Sequence, residues 1–391
     1  MTSLAQTAQA GVSCRFNPTT GCLILSSGTG SVQLPPLWLR ERSEAPDQLD
    51  HASHQRYFDP TRLPADLAIT DAQPSAEGIA LTFSDGHCWS FDPTMLGIEA
   101  GLLPDPLALP APEAWTAANM ELPIADWQTL DDPAKMRDLL AGFFRTGVVV
   151  LRGTPVEEDS LLQIARRFGP IRETNWGRLF NVRTEAAATD LAYTGRALTA
   201  HTDNPYRRSV PGIQFLHCLM NEATGGESTV VDGLAIAEAL RAEAPGLFRV
   251  ATTLPISYRY RSDSVDDRMD APMLDIMPDG RLKHIRLSTR LDFPPAADPE
   301  TLAAFFEARR RLAGLAADPA FEVSFKMRPG DCLMMDNHRT LHGRGAFAED
   351  GRRFLQGCYI DHDGPECLYR VTTRRLFETG GSRVTAGAES S

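Results

Sequence analysis

The sequence predicts a mainly β fold with some α-helix, in which a small β-rich amino-terminal domain precedes an α+β domain with a β-sandwich core. Three observations carry this prediction. Short strand patterns and turn signals fill the first third of the chain, a proline-rich segment follows, and beyond it helix patterns come early and strand patterns late. The length of 391 residues is typical of two domains.

The amino-terminal domain is expected to span residues 1–101. Cys22–Ser27 has a strand pattern and is followed by a glycine-containing turn. Two further strand patterns, Ile79–Phe83 and Cys88–Phe91, flank the residues 84–87, whose Asp-Gly pair indicates a hairpin. We therefore expect antiparallel strands here.

A linker is expected at residues 102–123, because prolines at 104, 106, 110, 112 and 123 favour an extended, semi-rigid chain. The second domain would then span 124–380, with a polar tail at 381–391. Its predicted helices lie at 133–144, 157–168, 234–250 (as one or two) and 299–315, and its predicted strands at 147–151, 213–219, 228–231, 321–326, 331–335 and 354–360.

Composition and charge exclude several classes of binding partner and of site. The chain has 39 Lys and Arg against 51 Asp and Glu, a net charge of −12, which argues against nucleic acid or an anionic membrane as the main partner. Seven cysteines without CxxC spacing indicate neither a disulfide framework nor a thiolate zinc site. The first residues lack a signal-peptide pattern and no apolar run reaches membrane-spanning length, so we expect a cytoplasmic protein.

A metal site is the first chemical prediction. His201 and Asp203 are two residues apart, and on a strand such side chains point the same way. An imidazole and a carboxylate are two of the three ligands of non-haem Fe(II) oxygenases. His342, directly after a predicted strand, is the candidate third ligand, and His338 is its rival.

An anion anchor is the second prediction. Arg353 follows His342 at the start of a predicted strand, where a buried arginine would bind a carboxylate through two hydrogen bonds. Its neighbour Arg352 is the alternative. Arg353 shares strand parity with Tyr359, so these two side chains are expected on one face.

Together these motifs resemble the Fe(II)/2-oxoglutarate-dependent dioxygenases, and most closely the branch that hydroxylates γ-butyrobetaine and trimethyllysine. The resemblance covers roughly residues 120–375, more weakly the amino-terminal domain, and rests on the segments 192–195, 201–203, 212–218, 223–226, 231–233, 335–337, 341–344 and 353–361.

The resemblance implies a double-stranded β-helix, or jelly roll, and an enzyme that uses Fe(II), 2-oxoglutarate and O2. It implies that His201, Asp203 and His342 bind the iron. It further implies that Arg353, with Leu216 and Ser228, lines the 2-oxoglutarate site, and that the protein is a homodimer.

One departure concerns a zinc site that many relatives carry in the amino-terminal domain. Trp38-Leu-Arg40 is present, but no cysteine follows it, and His87 has lost its partner ligands. Because structural zinc needs four ligands, we expect none.

The substrate is expected to carry a trimethylammonium group. By resemblance its aromatic cage is formed by Trp176, Phe180, Tyr193 and Tyr359, with Asp190 as a possible counter-charge.

An acid group is expected at the other end of the substrate. Donors at Asn204, Ser288, Thr289 and Arg290 exceed what one carboxylate needs. This pattern resembles the branch members that hydroxylate 2-(trimethylamino)ethylphosphonate at C1, the carbon bearing phosphorus, and that substrate is our first prediction. The alternatives are γ-butyrobetaine hydroxylation and, from a different class, a non-catalytic betaine-binding protein.

Overall fold

The computed structural model describes residues 6–9, 11–183, 196–348 and 350–385. The chain forms two compact units, Met1–Ala108 and Leu109–Ser391. The boundary between them lies within the proline-rich segment. No helix in the described ranges is both long enough and apolar enough to cross a membrane.

The amino-terminal unit consists of short antiparallel strands and two short helices. Its elements are β1 (Gln6–Gln9), β2 (Val12–Asn17), β3 (Cys22–Ser27), β4 (Gly30–Leu34), α1 (Pro36–Arg40), β5 (Leu49–Asp50), β6 (Gln55–Arg56), β7 (Ile69–Pro74), β8 (Ile79–Phe83), β9 (Cys88–Phe91) and α2 (Pro93–Glu99). Strands β1–β4 form one sheet, β7–β9 a second, and β5 pairs with β6. Alternating apolar residues such as Ile79, Leu81 and Phe83 are fully buried in its core.

The second unit is built on two facing sheets. The larger has the order β10 (Ile124–Asp126), β11 (Val148–Arg152), β23 (Cys332–Asp336), β15 (Ile213–Asn221), β25 (Arg353–Ile360) and β12 (Ile171–Arg172), and β13 (Phe180–Arg183) also pairs with β25. The smaller has the order β14 (Leu198–His201), β24 (Thr340–Arg344), β16 (Ser228–Asp232) and β22 (Glu322–Phe325). Except for the parallel pair β10–β11, the strands within these sheets run antiparallel.

The space between the two sheets is an apolar core at one end and the candidate site at the other. Val150, Leu333 and Leu355 of the larger sheet pack here with Val230 of the smaller. On β25 the side chains alternate, so Leu355 faces this core while Cys358 faces a second cluster outside the larger sheet. This arrangement is that of a jelly-roll core.

Helices and a small β-layer surround the two sheets. The helices are α3 (Pro133–Thr146), α4 (Ser160–Arg166), α5 (Gly233–Glu243), α6 (Pro245–Thr253), α7 (Pro299–Ala316) and α8 (Asp363–Thr385). The additional strands are β17 (Ile256–Arg261), β18 (Asp266–Ala271), β19 (Leu274–Ile276), β20 (Leu282–Ile285) and β21 (Asp292–Phe293). Local chemistry sets the ends of α3, because Asp132 caps the helix before Pro133 and Gly147 ends it with a left-handed φ of 74°.

Candidate active site

Three potential metal ligands lie close together at one end of the jelly roll, namely His201, Asp203 and His342. His201 and His342 are register partners on β14 and β24, and their ring centroids are 4.5 Å apart. Nε2 of His201 lies 3.4 Å from Oδ1 of Asp203, and Nε2 of His342 lies 3.8 Å from Oδ2. Metal–ligand bonds of about 2.1 Å place neighbouring ligand atoms roughly 3 Å apart, so this spacing suits one ion. Within the described ranges, these residues form the single such group.

Hydrogen bonding and burial prepare the three side chains for a metal. Nδ1 of His201 lies 2.8 Å from the carbonyl oxygen of Thr199 and donates to it, which orients the ring with Nε2 toward Asp203. Burial lowers the pKa of His342 to about 4, so its imidazole is neutral. Burial raises the pKa of Asp203, but the nearby His342 and His201 outweigh burial and hold it below its usual value. One carboxylate and two imidazoles form a ligand set that fits Fe(II).

Asp203 is held by residues from three other strands or their ends. Gln214 Nε2 and the Tyr359 hydroxyl donate to Oδ2 at 2.7 and 2.6 Å. Asn337 accepts from the Asp203 amide at 2.7 Å and donates to its carbonyl oxygen at 3.0 Å. The roles of Gln214 and Asn337 are not predictable from the sequence, since the strand register that brings them to Asp203 has no local signal.

His338 lies outside this group. Its ring stacks on His284 with centroids 4.1 Å apart, and its Nε2 donates to the Val210 carbonyl oxygen at 3.1 Å. The structure thus separates the two histidines that the sequence left as alternatives, and places His342 beside Asp203.

Arg353 is a buried cation at the start of β25. Its side chain forms no ion pair with any carboxylate of the described residues, and Nε has no hydrogen-bond partner there. Burial and the neighbouring Arg344 lower its pKa to about 10. Arg352, by contrast, is exposed and pairs with Glu222 at 3.1 Å. The guanidinium lies over the Phe347 ring, 5.4 Å from its centroid. A buried cation without a carboxylate partner is costly, so the surroundings of Arg353 fit the distal carboxylate of 2-oxoglutarate.

The two other residues expected at the 2-oxoglutarate site lie on neighbouring strands. Leu216 is half-buried and packs at the edge of the core between the sheets. Ser228 begins β16, is buried, and is the register partner of Arg344. Neither lines the two cavities described below.

A cavity of about 160 Å³ opens beside the metal ligands. It brings together six of the predicted substrate residues, which are Trp176, Phe180, Tyr359, Asn204, Ser288 and Arg290. Tyr193 and Asp190 lie outside the described residues. Thr289 is exposed and does not line this cavity, so the donor set around it is smaller than the sequence predicted.

Aromatic rings form two walls of the cavity. Phe180 and Tyr359 lie 5.3 Å apart on the larger sheet. In the second wall the Trp176 ring is tilted against Tyr260, with centroids 5.7 Å apart, and Tyr260 stacks on Tyr206 with centroids 5.1 Å apart. Tyr206 and Tyr260 were missed, because Tyr260 belongs to the β17–β18 hairpin, far from the motifs in sequence.

Two buried donors face this region without partners. Nδ2 of Asn204 and Oγ of Ser288 have no hydrogen-bond partner among the described residues. Asn204 adopts a left-handed φ of 54°, which asparagine tolerates better than most residues and which turns the chain sharply after Asp203. Arg290 also lines this cavity, and its side chain is exposed.

A second cavity of about 310 Å³ adjoins the first, and His201, Leu198 and Arg290 line both. Thr289 and Arg344 line only this second cavity. His201 therefore borders both cavities, whereas Asp203 borders only the first.

Known proteins resemble the chain over most of its length. Residues 107–359 match the family described as "Taurine catabolism dioxygenase TauD, TfdA family". A gamma-butyrobetaine dioxygenase of Pseudomonas sp. (strain AK-1) is 35% identical over 342 residues, which are 86% of this chain and 88% of the relative. A trimethyllysine dioxygenase of Meyerozyma guilliermondii is 26% identical, covering 86% of this chain and 89% of the relative.

The fold has a solved counterpart. The crystal structure of AAD-2 in complex with Mn(II) and N-oxalylglycine aligns with a TM-score of 0.50 at 17% identity, covering 63% of this chain and 98% of that one. The family match and the His-Asp-His group together confirm the predicted reaction class and cofactors. The chain belongs to the TauD/TfdA family, and it is a dioxygenase that uses Fe(II) and 2-oxoglutarate.

Proposed function

We propose that this dioxygenase hydroxylates a small acid bearing a trimethylammonium group, with His201, Asp203 and His342 as the iron ligands. The observation that carries the proposal is the cavity of about 160 Å³, in which two aromatic walls and two unpaired buried donors border the metal ligands. Because the chain is a dioxygenase, we do not propose the alternative of a non-catalytic betaine-binding protein.

The aromatic walls suit a fixed cation. A quaternary ammonium group makes no hydrogen bonds, but ring faces attract it by about 0.5–2 kcal/mol each. Phe180 and Tyr359 on one side, and Trp176 and Tyr260 on the other, offer such faces. An uncharged apolar substrate would also fit the rings, but it would leave the donors of Asn204 and Ser288 unpaired.

The acid group is bound by the donors in this proposal. Asn204 Nδ2 and Ser288 Oγ supply hydrogen bonds, and Arg290 supplies positive charge from the rim. With both ends held, one methylene lies at the metal. Bound iron supplies the oxidising chemistry with 2-oxoglutarate and O2, and the protein supplies orientation and exclusion of water.

γ-Butyrobetaine is the reference substrate in this proposal, because the Pseudomonas gamma-butyrobetaine dioxygenase shares 35% identity over 86% of the chain. A second candidate is 2-(trimethylamino)ethylphosphonate. It is favoured by one observation, namely that two buried donors and an arginine surround the cavity, whereas a carboxylate has only two acceptor oxygens. The exposed position of Thr289 weakens this second candidate relative to the sequence prediction.

The test is succinate formation with each compound at matched concentration, under Fe(II), ascorbate and saturating 2-oxoglutarate. Substrates are γ-butyrobetaine, 2-(trimethylamino)ethylphosphonate, trimethyllysine and, as a control without a quaternary ammonium, taurine. We expect kcat/KM to be highest for γ-butyrobetaine. A higher value for the phosphonate would select the second candidate, and a higher value for taurine would overturn the trimethylammonium proposal altogether.

Assembly is a further prediction from the resemblance, and location is a further prediction from the sequence pattern at the amino terminus. We expect a homodimer, which light scattering of the purified protein checks. A cytoplasmic location is checked by fractionation of the source cells.

A further inference from the structure

The Tyr359 side chain touches two different parts of the site. Its ring packs beside Phe180 in the aromatic wall, and its hydroxyl donates to Oδ2 of Asp203 at 2.6 Å. A tyrosine hydroxyl has an ordinary pKa of about 10, so it carries its proton at neutral pH and acts as the donor. The cage role uses only the ring and leaves the hydroxyl unexplained.

Gln214 points at the same oxygen from the neighbouring strand. Gln214 and Tyr359 are register partners on the antiparallel strands β15 and β25, so their side chains lie on the same face of the sheet. Nε2 of Gln214 is 2.7 Å from Oδ2 of Asp203. Two donors therefore converge on one carboxylate oxygen, and both come from the rigid larger sheet rather than from a loop.

The other carboxylate oxygen is left for the metal. Oδ1 lies 3.4 Å from Nε2 of His201, whereas Oδ2 lies 3.8 Å from Nε2 of His342. Oδ2 accepts both sheet donors, so Oδ1 is the oxygen that keeps its lone pairs available. Fixing one oxygen also fixes the rotation of the carboxyl group. Hydrogen bonds of this kind to a metal-binding carboxylate orient it, and their loss usually weakens metal binding by about 10-fold to 100-fold.

We infer that Tyr359 and Gln214 are positioning residues. Their hydrogen bonds to Oδ2 fix the orientation of the Asp203 carboxylate and leave Oδ1 to bind the metal. Tyr359 thus has a role at the metal that is separate from the role of its ring at the substrate. This positioning role affects the affinity for the metal, and it does not depend on which trimethylammonium compound is the substrate.

The experiment measures the Kd for Mn(II), used as a redox-stable probe in place of Fe(II), by calorimetry without any organic substrate. Tyr359→Phe removes the hydroxyl and keeps the ring. Gln214→Met removes the donor at similar volume. We expect each variant to raise the Kd for Mn(II) by about 10-fold, and the double variant by more. The matched control is Phe180→Leu, which removes the neighbouring ring but no contact with Asp203, and its Kd is expected to equal that of the wild type.

Thermal unfolding in chelator shows whether each variant is folded before metal is added. Equal Mn(II) affinity in wild type and in folded Tyr359→Phe and Gln214→Met would overturn the inference. The KM for the organic substrate gives a second readout, because Phe180→Leu should raise it while leaving the Kd for Mn(II) unchanged. A general structural defect would instead change both quantities in all three variants, which also counts against the inference.

Discussion

The Phe180 ring packs against Gly357, its register partner on β25, so closely that a Cβ at position 357 would stand 2.2 Å from the Cζ atom of Phe180. The absence of a side chain at 357 is therefore what lets the ring lie beside Tyr359. One wall of the substrate cavity depends on a residue that contacts no ligand itself.

Gly357→Ala is expected to displace the Phe180 ring and weaken substrate binding. Loss of one ring face costs about 0.5–2 kcal/mol, which corresponds to roughly a 2-fold to 30-fold rise in KM for the quaternary ammonium substrate. The control is Gly142→Ala on α3, where an added Cβ meets nothing within 4 Å. Steady-state kinetics of a folded Gly357→Ala with unchanged KM would contradict the assignment of Phe180 to the cavity wall.

His201→Ala and Asp203→Ala are expected to abolish turnover, because each removes one of three proposed iron ligands. Metal titration should show loss of tight Mn(II) binding in both variants. His338→Asn is the matched histidine control, since His338 stacks on His284 away from Asp203 and should retain metal affinity. More than a few per cent of wild-type activity in either ligand variant would refute the iron assignment.

Arg353→Met is expected to raise the KM for 2-oxoglutarate by at least about 30-fold, because it removes the buried partner of the distal carboxylate. Without ligand, the variant should be as stable as the wild type or more so, since a buried cation with no carboxylate partner in the described structure is replaced by an apolar side chain. Arg352→Met removes an exposed charge and should change neither the KM for 2-oxoglutarate nor the stability of the protein. If Arg353→Met altered only the KM for the trimethylammonium substrate, Arg353 would belong to the substrate cavity and not to the 2-oxoglutarate site.

The metal-free protein is expected to lose stability between pH 7 and pH 5. Burial lowers the pKa of His217 and His338 to about 4 and that of His284 well below its ordinary value. In this window the unfolded chain, with histidine pKa values near 6.5, binds protons that the folded protein does not, so a lower pH favours unfolding. Each such histidine contributes on the order of 1 kcal/mol per pH unit.

One histidine acts in the opposite direction. Burial lowers the pKa of His362, but Asp336 at 2.9 Å outweighs burial and raises it. The stability that His362 contributes is present below its unfolded pKa and is lost as pH rises through its folded pKa. It therefore only partly offsets the buried histidines whose pKa is lowered. Urea unfolding in chelator measures the net effect. His217→Gln should flatten the pH dependence, and an unchanged slope would show that His217 is not buried in the neutral form.

Zinc content remains a prediction for the amino-terminal unit. Oγ of Ser43 lies 2.8 Å from Nε2 of His87, and Nε of Arg40 donates to Asp85 at 2.9 Å. The Ser43 hydroxyl thus contacts Nε2 of His87, the ring nitrogen that a zinc ion would need. Elemental analysis after a mild chelator wash should find less than stoichiometric zinc, and tightly bound zinc at one per chain would disprove the prediction.

The sequence by itself determined the local elements and the chemistry. Capping pairs such as Asp132-Pro133 act within a few residues, so α3 was predicted at 133–144 and is observed as Pro133–Thr146. The strand predicted at 354–360 is observed as Arg353–Ile360, because strand periodicity is also local. The types and spacing of His201, Asp203 and His342 indicated the iron site, since metal chemistry restricts which side chains can serve.

Tertiary structure decided everything that depends on register between distant strands. His342 rather than His338 meets Asp203 because β24 pairs with β14 and makes His342 the register partner of His201. Gln214 reaches Asp203 through the pairing of β15 with β25, and Tyr260 reaches the cavity on the β17–β18 hairpin. Pairing between strands far apart in sequence is set by the packing of the whole core, so a single sequence contains no local signal from which these contacts could be predicted.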